Sequence, residues 1–203
     1  FVVINNAWNL TMFDQDQQTT AESNNFCSLE ETYNKINTLI TDVDGVLTDG
    51  TFLYSDQGKV YKQFGPHDSD GVKLLKSMSI SVQAITADKR GLNITKSRLY
   101  DMGIDLSFVS EQDRLNWLIE NCDLEKTAFV GDGLYDAPAM RHCAVSFAPL
   151  NAVAFAKQNA TKILEACGGN GALLEVALEF LVSRDPKTYY ELQGGFMGGH
   201  SNQ

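Results

Sequence analysis

Carboxylates stand directly after two predicted strands of this chain. Asp42 and Asp44 follow the β-prone run at 37–41, and Asp132 follows the run at 127–130. Residues two apart on an extended chain start on the same side, so Asp42 and Asp44 can act together. Three carboxylates in one small space repel one another unless a cation lies among them. Oxygen ligands suit Mg²⁺, so these residues predict a magnesium site.

A single aspartate after a strand is most often a helix cap or a turn residue. That interpretation weakens here because Asp136 adds a fourth acid one helical turn after Asp132, and Thr86 ends another strand. Ligands of open α/β sheets bind beyond the carboxyl ends of the strands. We therefore expect these side chains to meet at one edge of a sheet.

The elements that position these side chains alternate along the chain. Strands are predicted at 37–41, 82–86, 106–109, 127–130, 145–147 and 162–164, and helices at 71–78, 92–102, 114–121, 135–142, 152–159 and 172–182. Such alternation predicts a three-layer, Rossmann-like α/β fold with a parallel sheet between helices. Two more β-prone runs, 51–54 and 60–64, flank a Gly-containing turn and predict a β-hairpin inserted after the first strand.

The two ends of the chain differ from its centre. Residues 1–36 are polar and aperiodic and are interpreted as an arm or linker, although Ser28 and Glu31 have the spacing of a capping box that opens a short helix. Residues 37–183 are predicted to form one domain. Residues 184–203 are predicted to be a flexible, Gly-rich tail.

Charge and cysteine usage exclude several classes of function. The 203 residues carry a formal net charge of -10, which argues against non-specific nucleic-acid binding. No apolar run is long enough to span a membrane. The four cysteines are scattered without a Cys-x-x-Cys pair, so we expect free thiols in a cytoplasmic protein and no zinc site.

The run Asp-Val-Asp-Gly-Val-Leu-Thr-Asp-Gly at 42–50 resembles the first motif of the haloacid dehalogenase superfamily. It is most similar to the branch of 3-deoxy-manno-octulosonate 8-phosphate phosphatases and N-acylneuraminate 9-phosphate phosphatases. The resemblance extends over about 37–182 and includes the hairpin, Thr86, the run at 129–136 and the Gly-rich run at 168–172.

The resemblance implies a Mg²⁺-dependent phosphatase with assigned residues. Asp42 would form an aspartyl-phosphate, and Asp44 would act as general acid and base. The metal would be held by Asp42, the carbonyl of Asp44 and Asp132. Thr86 would bind phosphate, and Asp136 would orient the water shell of the metal or a cationic partner.

Other positions depart from the resembled family. Arg114 stands where the family usually has a phosphate-binding lysine, and it keeps the positive charge. Asp88, an acid after the second motif, is more similar to the sialic-acid-type enzymes. His67 and Asp68 stand where the octulosonate enzymes have Arg-Asp. His67, Asp68 and Asp88 are therefore candidate substrate contacts.

The expected function is hydrolysis of 3-deoxy-octulosonate 8-phosphate or a sialic-acid-type 9-phosphate. Two alternatives are a phosphatase of another small ester and a non-catalytic phosphatase-like module that oligomerises a sugar-nucleotide synthetase. A degenerate module has no reason to keep the complete acid set, which favours the enzyme. The resemblance also implies a homotetramer, with the exposed hairpin against another subunit and the Gly-rich segment at 194–200 over a neighbour's site.

Overall fold

A parallel sheet forms the centre of the computed structural model, which describes residues 28–195. The strands are, in chain order, β1 (Thr38–Asp42), β2 (Thr48–Ser55), β3 (Gly58–Phe64), β4 (Ser81–Thr86), β5 (Asp105–Phe108), β6 (Thr127–Val130), β7 (Val145–Ala148) and β8 (Lys162–Ile163). Among the described residues, six of them pair in parallel in the order β5-β4-β1-β6-β7-β8. This confirms the predicted parallel α/β fold.

The helices follow the predicted alternation; α3 and α4 have the predicted ends, and the other predicted helices are shifted at one end or both. They are α1 (Leu29–Lys35), α2 (His67–Ser77), α3 (Leu92–Met102), α4 (Arg114–Asn121), α5 (Ala137–His142), α6 (Ala154–Asn159), α7 (Ala172–Arg184) and α8 (Pro186–Gly195). The capping box of α1 is present, because Ser28 Oγ accepts from the Glu31 amide and the Glu31 carboxylate accepts from the Ser28 amide. Helix α2 begins four residues before the predicted Gly71, since its first turn is polar and lacks the apolar spacing used for the prediction.

Alternate residues of the central strands enter two separate apolar layers. Leu39 and Val130 belong to a core with α2 and α7, whereas Ile40 and Phe129 belong to a second core with α4 and α5. All four side chains are fully buried. Successive side chains of a strand point to opposite faces, so helices must cover both sides of the sheet. The result is the predicted three-layer arrangement.

Strands β2 and β3 form an antiparallel hairpin outside the main sheet, directly after β1. Gly58 opens β3 with a φ of 111°, a conformation that glycine adopts readily. The inserted hairpin is confirmed, and it begins three residues earlier than predicted. Several large apolar side chains of the hairpin are exposed in the single chain, and Leu53 and Tyr61 are each 64% exposed.

Helices α1 and α8 lie outside the predicted domain of 37–183. Helix α1 packs on α7, where Tyr33 meets Phe180 edge to face with ring centroids 5.0 Å apart. Helix α8 extends to Gly195, within the segment predicted as a flexible tail. The rest of the arm, 1–27, and the rest of the tail, 196–203, lie outside the described residues. Within 28–195, no helix has the length and apolar character needed to cross a membrane.

Candidate active site

Strand β1 lies at the point where the order of the sheet reverses. The chain leaves β1 for β4 and β5 on one side and returns to β6 and β7 on the other. The carboxyl ends of β4, β1 and β6 are therefore neighbours, which is where open α/β sheets bind ligands. Asp42 is the last residue of β1, Thr86 is the last residue of β4, and Asp132 follows β6 by two residues.

A cleft of about 510 Å³ opens above these strand ends. The side chains that line it are mostly charged or aromatic and include Asp42, Asp44, Phe52, Tyr54, Lys59, Thr86, Asp88, Lys89, Arg90, Glu111, Arg114, Asp132 and Tyr135. The hairpin contributes Phe52, Tyr54 and Lys59, so the half of the hairpin nearest its turn forms one wall of the cleft. Six of the nine predicted site residues line this cleft.

Arg114 links two of the buried carboxylates. Its Nη1 lies 2.9 Å from Oδ2 of Asp42, and its Nη2 lies 3.1 Å from Oδ1, which is a bidentate pair. Nη1 also donates to Oδ1 of Asp136. The other oxygen of Asp136 accepts from the amides of Asp132, at 3.0 Å, and Gly133, at 2.8 Å. Asp136 therefore fixes both the guanidinium and the loop that carries Asp132.

Burial and mutual repulsion perturb the protonation of this acid cluster. Burial raises the pKa of Asp42 to about 8; Asp136 adds to the rise and Arg114 opposes it. Burial raises the pKa of Asp132 to about 7, and Asp136 again adds to the rise. The same carboxylates raise the pKa of Arg114 above its ordinary range, although burial opposes this. Near neutral pH the cluster therefore favours uptake of a proton or of a metal cation.

The donor set fits a hard divalent cation. Asp42, Asp132 and Asp136 each offer a carboxylate oxygen, and these oxygens lie within 4.8 Å of one another. The backbone of Gly45 packs directly against the Asp132 carboxylate, since a Cβ on Gly45 would lie 2.0 Å from Oδ2 of Asp132. Gly45 also has a φ of 90°, so the turn after β1 requires glycine there.

Asp44 contacts a lysine that the sequence analysis missed. Nζ of Lys62 lies 2.8 Å from Oδ1 and 2.9 Å from Oδ2 of Asp44. The same ammonium lies 2.7 Å from Oδ2 of Asp88, which Lys59 also contacts at 2.6 Å. Burial alone would raise the pKa of Asp88, but hydrogen bonds from Lys59 and Lys62 outweigh it and lower that pKa to about 2. The sequence did contain one signal for Lys62, because this lysine lies on the same strand face as the apolar residues Val60 and Phe64.

The remaining predicted residues lie in two different environments. Thr86 lines the cleft, is 1% exposed, and accepts a hydrogen bond from the Asp88 amide at 3.1 Å. Asp68 is also 1% exposed, but it accepts from the amides of Leu173, at 2.9 Å, and Gly171, at 3.4 Å. His67 is exposed at the start of α2. Neither Asp68 nor His67 lines the cleft.

Comparison with known proteins gives consistent matches over most of the chain. The chain is 30% identical over 174 residues to the 3-deoxy-D-manno-octulosonate 8-phosphate phosphatase KdsC of Haemophilus influenzae, covering 83% of this chain and 96% of that protein. The cobalt-bound structure of the Haemophilus influenzae phosphatase YrbI matches with a TM-score of 0.71 and 30% identity, covering 82% of this chain and 99% of that one.

A second solved structure carries ligands. The 3-deoxy-D-manno-octulosonate 8-phosphate phosphatase of Moraxella catarrhalis, in complex with a magnesium ion, a phosphate ion and a KDO molecule, has a TM-score of 0.72 at 26% identity. The match covers 83% of this chain and 99% of that chain. No family model matches the sequence.

Proposed function

The chain belongs to the KdsC-type phosphatases of the haloacid dehalogenase superfamily and is a phosphoric monoester hydrolase, and from this premise we propose that it hydrolyses 3-deoxy-D-manno-octulosonate 8-phosphate through an aspartyl-phosphate at Asp42. One observation carries the proposal: Asp42 ends the central strand, paired with Arg114 and within reach of Asp132, in a cleft that also contains Asp44. The proposed nucleophile, the proposed phosphate-binding cation and the proposed acid–base group are thus adjacent.

Asp42 and Asp44 perform the two halves of the proposed reaction. A carboxylate oxygen of Asp42 attacks phosphorus as the ester P–O bond breaks, and Asp44 gives its proton to the leaving sugar oxygen. Water then attacks the phosphoryl group and gives a proton to Asp44. The bond to Asp42 breaks, which releases inorganic phosphate and restores both side chains.

The surrounding residues orient the phosphoryl group and its charge. Arg114 holds both oxygens of Asp42 before the attack and binds phosphoryl oxygens during it, and Thr86 donates its hydroxyl to the phosphate. Asp42, Asp132 and the backbone carbonyl of Asp44 would hold Mg²⁺, which when bound offsets the repulsion between carboxylates and phosphate. We assign Asp136 to fixing Arg114 and the Asp132 loop, because it accepts hydrogen bonds from the guanidinium and from the amides of Asp132 and Gly133.

A sialic-acid-type 9-phosphate is the second candidate substrate. The observation that favours it is Asp88, an acid on the wall of the cleft at a position where the sialic-acid-type enzymes are expected to have an acid. Both substrates are acidic sugars, and the cations Lys89 and Arg90, which line the same cleft, suit a sugar carboxylate. Catalytic efficiencies on the two phosphates decide between them.

Phosphate release from a panel of sugar phosphates tests the proposal. We expect turnover of 3-deoxy-D-manno-octulosonate 8-phosphate with Mg²⁺, loss of turnover with EDTA, and a fall in kcat on the order of 10⁴-fold for Asp42→Asn. Asp56→Asn, in the exposed turn of the hairpin, is the matched control and should keep its activity. Turnover by Asp42→Asn would refute the aspartyl-phosphate, and inactivity of the natural protein on every ester would favour a binding module.

We also infer that the protein is a cytoplasmic homotetramer. Support for the assembly comes from Leu53 and Tyr61, two exposed large side chains of the hairpin that lie outside the cleft, because monomers seldom leave such a surface uncovered. Support for the location comes from Cys122, Cys143 and Cys167, which are free thiols. Light scattering of the natural protein and of Leu53→Asp tests the assembly; a monomer in both cases would contradict it.

A further inference from the structure

A buried lysine of the hairpin lies against the acid–base residue. Lys62 is 8% exposed, and its Nζ contacts both carboxylate oxygens of Asp44. The same atom donates to Oγ1 of the fully buried Thr95, 2.9 Å away, and pairs with Asp88. A buried ammonium is costly unless it is paired and hydrogen-bonded. These contacts supply that compensation and hold the ammonium at Asp44.

Lys62 is held on its other side by a packed ion-pair network. Asp88 accepts from Lys62, from Lys59 and, at 3.1 Å, from the Gly91 amide. A Cβ on Gly91 would lie 2.4 Å from Cε of Lys62 and 2.2 Å from Oδ2 of Asp88. The backbone at Gly91 thus leaves little space in which either side chain could move. Lys62 is therefore fixed in position before any substrate binds.

We propose that Lys62 is a positioning residue that aims Asp44 at the leaving oxygen and at the attacking water, with Asp88 and Thr95 as its supports. The inference rests on the proposed function, because it takes Asp44 as the acid–base group. Asp44 lies in the turn after β1 and is partly exposed, so its side chain needs an external contact to keep one orientation. Lys62 supplies this contact from a separate element, the hairpin.

With p-nitrophenyl phosphate as substrate, the rates of the two steps of the reaction should depend differently on Lys62. Loss of a sugar alkoxide needs the proton of Asp44, whereas loss of p-nitrophenolate, a stable anion, does not. Formation of the aspartyl-phosphate from p-nitrophenyl phosphate is therefore independent of Asp44. Its hydrolysis still needs Asp44 as the base that takes a proton from water. A general loss of structure would slow both steps alike.

Lys62→Met is the test, since methionine keeps an unbranched apolar stem and removes the ammonium. We expect kcat on the sugar phosphate to fall by about 10²-fold with KM changed by less than about 3-fold. The pre-steady-state burst of p-nitrophenol should change by less than about 3-fold, while the later steady-state rate falls with kcat. Lys62→Arg keeps the charge and should recover at least about tenfold of the loss. Lys126→Met, on an exposed 3₁₀ turn, is the control with natural rates.

Two results would overturn the inference. Equal losses in the burst and the steady state would make Lys62 a structural residue, and an unchanged kcat would remove any role. The thermal unfolding midpoint of each variant is measured beside the rates, so that a loss of structure is detected separately. The proposed function fails separately, because it requires the natural protein to turn over and Asp42→Asn not to. If both of those results hold while Lys62→Met keeps full activity, this inference alone is wrong.

Discussion

Replacing Arg114 by methionine removes the guanidinium from the acid cluster at the end of β1. Arg114 is 6% exposed and donates three hydrogen bonds, two to Asp42 and one to Asp136. In the variant, Asp42, Asp132 and Asp136 keep carboxylate oxygens within 4.8 Å of one another and lose the nearest counter-charge. We expect the folded state to be destabilised, most strongly in the absence of a divalent cation.

The size of the effect follows from these partners. Removing one member of a buried ion pair costs about 3–5 kcal/mol, because the other charge is left uncompensated. Asp136 retains two backbone amides as donors, so we expect the lower value, about 3 kcal/mol, for Arg114→Met. Lysine keeps the charge but cannot donate both bonds to Asp42, so Arg114→Lys should lose one charge-assisted hydrogen bond, about 1.5–3 kcal/mol.

Urea and thermal unfolding, each with and without Mg²⁺, measure this effect. A loss of 3 kcal/mol lowers the midpoint of a protein of this size by about 6–12 °C. Mg²⁺ should reduce the difference in stability between Arg114→Met and the natural protein, because a cation among the carboxylates replaces part of the lost charge. Arg141→Met is the control: Arg141 donates to Asn159 at 2.6 Å on the surface, and its loss should change stability by less than about 0.5 kcal/mol.

Stability of Arg114→Met equal to that of the natural protein would show that the guanidinium does not stabilise the acid cluster. It would mean that the carboxylates are not held together as charged groups, or that they relax apart at no cost. An equal loss in Arg141→Met would also contradict a stabilising role of the guanidinium, since the effect would then not depend on the buried cluster.

Three further predictions concern neighbouring residues. Asp42 and Asp132 have pKa values raised to about 8 and 7, so the metal-free folded state holds protons that the unfolded state has released. The free energy of unfolding, measured with urea, should therefore fall as pH rises from about 4 to about 8. Asp42→Asn should make this free energy depend less on pH. Asp68→Ala should lose about 1–2 kcal/mol of stability through the amides that begin α7 and leave KM unchanged; a raised KM would indicate substrate contact. Gly45→Ala should push Asp132 aside and raise the Mg²⁺ concentration needed for activity; unchanged Mg²⁺ dependence would contradict the packing.

Sequence patterns were sufficient for the sheet and for the residues at its strand ends. Strand β1 is apolar and ends in Asp42, and parallel strands bring their carboxyl ends to one edge of the sheet. The convergence of Asp42, Thr86 and Asp132 therefore follows from the order of the strands along the chain and from the positions of their apolar residues. The roles of these residues remain proposals. Helix α8 was missed because its Gly-containing end was interpreted as a tail.

Contacts made by the hairpin could not be predicted from the sequence. Lys62 lies 18 residues from Asp44 and 29 residues separate Lys59 from Asp88, so no local spacing marks these pairs. The hairpin contacts the strand ends only in the folded protein, and these contacting residues are far apart in the sequence. Asp68 was interpreted as a candidate substrate contact because its bonds to the start of α7, 105 residues away, are also non-local.

Covalent phosphorylation of Asp42 is the step that distinguishes the proposed mechanism from direct hydrolysis by water. Asp44→Asn should allow attack on p-nitrophenyl phosphate, whose leaving group needs no proton, but should slow hydrolysis of the intermediate. Acid quenching followed by peptide mass spectrometry should then find one phosphoryl group on the peptide that contains Asp42, and none after the double change Asp42→Asn and Asp44→Asn. Turnover of the natural protein with an unmodified Asp42, or a phosphoryl group on another residue, would contradict an aspartyl-phosphate at Asp42.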